Sequence, residues 1–139
     1  MTGAQRREKM DMAIKEIAIP FLRELGFKGS YPHFRREKDG KLNLLTFQFS
    51  LYSSQFVVEI SICLAEGFKN SSGVHFKPSE CRVHYMGNRM RIGSGSDKNN
   101  CWFNFEKEPL FGDVYKTRAK EIIKNWHEAE TWWAENTSV

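Results

Sequence analysis

The side chains of this 139-residue sequence that bear on chemistry are few, and their spacing suits no common reaction. Cys63, Cys81 and Cys101 offer thiols, and His33, His84 and His127 offer imidazoles. A thiol nucleophile needs a base within hydrogen-bond reach. In an alternating strand Cys81 would point with Val83 and Tyr85, and His84 the other way, so this nearest pair diverges. Cys63 shares the face of His84 only if two distant strands meet. Cysteine spacings of 18 and 20 residues match no zinc pattern, and His127-Glu128 lacks the second histidine of a zinc-protease helix. Gly93 and Gly95 belong to neither a P-loop nor a dinucleotide fingerprint, and Glu106 with Glu108 is the nearest approach to a carboxylate pair. These observations predict buried inert thiols, no metal and no cofactor, and favour a non-enzyme over an unrecognised enzyme.

What remains is recognition. If the alternation described below holds, one sheet face carries Arg35, Thr46, Gln48, Glu59, Ser61, Arg82, His84, Trp102 and Asn104. A wet face is ordinary in an antiparallel sheet. A tryptophan among arginines and a histidine is also the composition of binding hot spots. Arg35, Gln48, Glu59, Arg82, His84 and Trp102 are therefore the candidate binding face. The helical spacing of Trp126 and Trp133, with Trp132 beside them, assigns those rings to the core instead.

Two terminal helices have to support that sheet. Met10, Ile14, Ile17, Ala18, Phe21, Leu22 and Leu25 recur at three and four residues, an apolar stripe that predicts a first helix. Gly26 is placed for a left-handed C′ residue, with Phe27 packing back as in a Schellman motif. Pro20 interrupts the stripe and predicts either a kink near Glu16 or a restart with proline in a first turn. Asp113 is a candidate N-cap for a last helix, whose stripe is Tyr115, Ala119, Ile122, Trp126, Ala129 and Trp133.

Between the helices the period falls to two. Strands are expected at 33–37, 45–51, 56–64, 81–86 and 101–105, the fourth extending towards 90–92. Asp39-Gly40 predicts a hairpin turn, residues 93–97 a second turn, and residues 66–79 a loop of lid length. The expected fold is one α+β domain over 1–139: a five-stranded antiparallel meander with both helices on one face.

The run Ile19-Pro20-Phe21-Leu22-Arg23-Glu24-Leu25-Gly26-Phe27-Lys28-Gly29-Ser30, then Phe34-Arg35-Arg36-Glu37, resembles the opening of the bacterial domain-of-unknown-function family numbered 4304. The likeness continues more loosely through residues 45–49 and the basic run Arg89-Met90-Arg91-Ile92-Gly93. It implies a small bacterial domain with a terminal helix and an antiparallel sheet, and brings no catalytic residues.

Bulk properties agree. Eleven Phe, four Trp and four Tyr supply a core that a disordered chain would lack. The excess of 21 Lys+Arg over 17 Asp+Glu, net +4, is compatible with an acidic partner without requiring one. An odd number of cysteines and the lack of an apolar leader or spanning stretch predict a soluble cytoplasmic protein with no membrane association. The leading expectation is a small bacterial protein-binding module of the immunity or antitoxin kind. The alternatives are a nucleic-acid-binding domain and a small-molecule-binding domain with the 66–79 loop as lid.

Overall fold

The computed structural model describes residues 1–93, 101–107 and 112–138. The chain opens with α1 (Gly3–Ala13), whose N-cap Thr2 and third helical residue Gln5 exchange hydrogen bonds in a capping box. A π turn follows at Ile14–Ala18, and then α2 (Ile19–Glu24). The π turn is how the helix absorbs Pro20. Proline has no N–H to offer and its ring crowds the preceding turn, so the ladder widens by one residue and the Ile19 N–H reaches Ile14 O. Pro20 then lies in the first turn of α2, and the apolar stripe runs through unbroken.

Gly26 ends α2 at φ +93°. The Phe27 N–H reaches Leu22 O and the Gly26 N–H reaches Arg23 O, both at 3.0 Å, the bonding of a Schellman cap. Phe27 is thereby turned into the core, where it is 2% exposed.

Among the described residues, six strands form the main antiparallel sheet: β1 (Lys28–Ser30), β2 (His33–Lys38), β3 (Lys41–Phe49), β4 (Gln55–Leu64), β7 (Arg89–Arg91) and β8 (Phe103–Asn104). Their order is β1-β2-β3-β4-β7, with β8 also on the β7 edge of β4. A separate small hairpin, β5 (Phe68–Lys69) with β6 (His75–Phe76), lies within the long connection. α3 (Val114–Lys124) and α4 (Trp126–Glu135) complete the chain. The Asp113 carboxylate caps α3 by accepting from the Tyr115 and Lys116 N–H groups. The expected single last helix is broken at Asn125, where the backbone leaves helical geometry. α3 packs across α1 and the π turn, and α4 against β4.

The α+β architecture with both terminal helical segments on one sheet face is as the periodicity predicts, and the large core lies between them. At its centre Phe56 meets Phe103, Phe49, Phe105 and Phe47 at ring-centroid distances of 5.0, 5.2, 6.2 and 6.3 Å.

The expected strand at 81–86 does not form. That segment makes a 3₁₀ turn at Val83–Tyr85, with the Tyr85 N–H bonded to Arg82 O and the Met86 N–H to Val83 O. Only one edge of β4 is open once β3 has paired with the other, and β7 and β8 occupy it. Residues 81–86 have no edge of β4 left to join and lie on the sheet instead. The expected extension at 90–92 is the strand that pairs, as Arg89–Arg91. β1 was not expected, and among the described residues the main sheet has six strands rather than five. The expected turn over 94–97 lies outside the described residues.

Candidate functional site

The sheet face opposite the helices divides into two parts. One part is covered. Leu42, Leu44 and Cys63 from the sheet, with Cys81, Val83 and Met86 from the connection, form a second buried cluster flanked by Phe68 and Phe76. Residues 66–86 thus form a packed cap, which buries the Cys63 end of β4 on this face as well as on the helical one. Cys63 and Cys81 are neighbours beneath the cap. Burial, and then the nearby Cys81, push the Cys63 thiol up to about 12, and burial raises Cys81 also.

The other part is polar and continuous across four strands. Antiparallel register sets His33 opposite Thr46, Thr46 opposite Glu59, and Glu59 opposite Arg91. His33 Nδ1 and Thr46 Oγ1 are 3.0 Å apart. Glu59 is only 6% exposed and accepts from Arg89 Nη1 and Arg91 Nε, each at 3.2 Å, one on each carboxylate oxygen. Alternation on β7 puts both arginines on the same side of the sheet, either side of Met90 in the core. The Arg91 guanidinium carbon lies 5.4 Å from the Trp102 ring centroid, a cation–π contact. One buried carboxylate therefore orients two guanidinium groups, and a half-buried indole flanks one of them.

At the opposite end of the row, Arg35 and Arg82 line a hollow of about 170 Å³ together with Gly29, Ser30, His33, Phe34, Ser79 and Cys81. His84 lies beside it, its ring centroid 5.8 Å from that of His33. Burial, with the charge of Arg82 and then of His84, lowers His33 to about 4, so this imidazole is neutral at pH 7.

Of the six residues on the predicted face, the fold brings Arg35, Arg82 and His84 together at one end, and Glu59 with Trp102 at the other. Gln48 belongs to neither group; it is exposed on β3 opposite Val57. Trp102 faces the polar side because its neighbour Phe103 stacks on Phe56 in the core. His33, Arg89 and Arg91 complete the two groups and were not among the predicted six. His33 has the same parity as Arg35, which is a legible signal. Arg89 and Arg91 become so only once residues 89–91, rather than 81–86, are known to be the strand.

No group of three or more His, Cys, Asp or Glu side chains among the described residues is arranged to hold a metal ion. No helix among them is long and apolar enough to cross a membrane.

The family model described as a domain of unknown function, DUF4304, matches residues 17–136. The chain belongs to this family. The match begins within the π turn and ends after α4, so it takes in the whole sheet, the cap and both polar groups. None of the curated proteins and none of the solved structures shows a significant match.

Proposed function

We propose that this protein is a small bacterial protein-binding module acting in the cytoplasm, of the kind that immunity and antitoxin proteins represent. Its docking surface is the polar face, and its partner presents acidic side chains there. The observation that carries this reading is the Arg89–Glu59–Arg91 group against Trp102. Arginine and tryptophan are the residues most enriched among binding hot spots, and a guanidinium already oriented by a buried carboxylate loses less freedom on binding than a mobile one. Arg35 and Arg82 extend the same positive character along the row. The odd number of cysteines suits a reducing compartment.

Affinity purification from the source cell tests this, using the intact protein beside its Arg91→Ala and Trp102→Ala variants. A partner retained by the parent protein and lost from both variants is the expected result. Recovery of no protein sensitive to either change, or of nucleic acid alone, would count against the proposal.

A further inference from the structure

The hollow between β2 and the cap has an electrostatic character of its own. Arg35 from the sheet and Arg82 from the connection both line it, and His33 forms part of its wall. Neither arginine makes an ion pair among the described residues. The acids nearby do not neutralise it. Glu37 is two residues along the same strand face and makes no ion pair with Arg35. Glu80 turns back to accept from the Lys77 N–H at 2.9 Å, and Glu59 is held by Arg89 and Arg91. Two guanidinium groups that line one hollow with no carboxylate paired to either among the described residues leave their donors free for an anion.

The remaining lining groups suit such an anion. Ser30 and Ser79 are exposed lining residues whose hydroxyls can donate. His33 is bonded to Thr46 through Nδ1, which leaves Nε2 without a hydrogen-bond partner among the described residues. Gly29 shapes the floor. At φ +112°, a Cβ there would come within 2.5 Å of His33 O, so the chain passes closer to β2 than any other residue would permit. A volume of about 170 Å³ holds the equivalent of roughly five waters, the scale of a headgroup rather than of a nucleotide.

We propose that this hollow is a binding site for a dianionic tetrahedral oxyanion, phosphate or a phosphate monoester, clamped between Arg35 and Arg82. Forked guanidinium donors match the geometry of phosphate oxygens. The proposal stands without the protein-binding reading above, whose carrying observation is Arg91 against Trp102 at the other end of the row, although both readings draw on the charge of Arg35 and Arg82.

Proton NMR of the His ring signals at constant ionic strength tests it, with inorganic phosphate and phenyl phosphate as separate probes. Saturable shifts of the His33 signals are expected, with affinity reduced about tenfold by Arg82→Ala, the loss of one charge-assisted interaction. The Arg35→Ala/Arg82→Ala pair should abolish saturation, while Lys120→Ala on the helical side changes nothing. Binding of both probes assigns the site to an oxyanion carried on a larger molecule; binding of inorganic phosphate alone assigns it to the free ion. Absence of saturation with both probes would overturn the proposal, as would unchanged saturation in the double variant. Arg82 is exposed, so Arg82→Gln carries the test if Arg35→Ala does not fold.

Discussion

Arg36 and Glu130, 94 residues apart in the chain, meet as a forked pair. Arg36 Nη1 donates to Oε2 at 2.9 Å and Nη2 to Oε1 at 2.7 Å. Arg36 Nε donates to Asn43 Oδ1, and its guanidinium carbon sits 4.7 Å from the Phe27 ring centroid and 5.2 Å from that of Trp133. Trp126 Nε1 donates to the same carboxylate at 2.8 Å. β2 and α4 are joined by this cluster, and the arginine is too buried to be re-solvated if its partner is lost. Arg36→Ala or Glu130→Ala should each destabilise the fold by about 2–4 kcal/mol, with a combined loss smaller than the sum. Urea unfolding of the two single variants and the double variant measures this; additive losses would contradict the pairing.

The same cluster gives an acid dependence. Burial pushes Glu130 upward, but hydrogen bonds from Arg36 and Trp126 and the charges of Arg36 and Lys38 outweigh it and hold the carboxyl below its ordinary 4.5. A depressed folded value contributes stability above the unfolded value and loses it as pH falls through the folded one. Stability should therefore drop as pH falls below about 4.5, and Glu130→Gln should lose less between pH 4.5 and 2.5 than the parent does. Equal acid losses in both proteins would sink the assignment.

His33 acts in a higher window. Its folded value of about 4 lies below the ordinary 6.5, so the unfolded chain takes up a proton first as pH falls. The fold is unaffected by this group above pH 6.5 and loses stability progressively between 6.5 and 4. The charged neighbours that oppose protonation are Arg82 and His84. Histidine NMR should find the His33 ring still neutral at pH 5.5, and His33→Gln should flatten the stability profile across that interval.

Phe56 is fully buried and in ring contact with four other phenylalanines from β3, β8 and residue 105. Phe56→Ala should cost about 3–5 kcal/mol, because rings held by two strands cannot collapse into the space. Phe56→Leu should recover more than half of that. Thermal unfolding of both variants provides the comparison.

The thiol pair beneath the cap should be unreactive. Raising Cys63 from 9.0 to about 12 lowers its thiolate share at pH 8 by about a thousandfold. Iodoacetamide should label Cys63 and Cys81 in the native protein at least about a hundredfold more slowly than in urea. Mass spectrometry locates the label; rapid native modification of either cysteine would show that the cap opens readily.

Periodicity determined a large part of this protein by itself. The stripe from Met10 to Leu25, the Gly26-Phe27 terminus, the Asp113 cap and the alternation of β3 and β4 are local signals, carried by residues within a few positions of one another. The fate of Pro20 was half legible: proline forbids a regular turn at that place, but whether the helix kinks or widens depends on keeping Ile14, Ala18 and Leu22 against the same core. The Asn125 break had no comparable signal, since Ile122, Trp126, Ala129 and Trp133 keep helical spacing across it.

The polar face shows the division most clearly. Parity along single strands put Glu59 and Trp102 on the side away from the helices. Which strand lies next to Glu59 is a competition between residues 81–86 and 89–91 for one edge of β4, and short alternating segments do not resolve it. The connection won by burying Cys81, Val83 and Met86 as a cap, which left the edge to Arg89 and Arg91 and carried Arg82 over to Arg35. Sequence thus settled which side chains face the same way, because that follows from backbone geometry over two or three residues. Only the tertiary structure decided which of them meet, because pairing across a sheet depends on what else occupies its edges and faces.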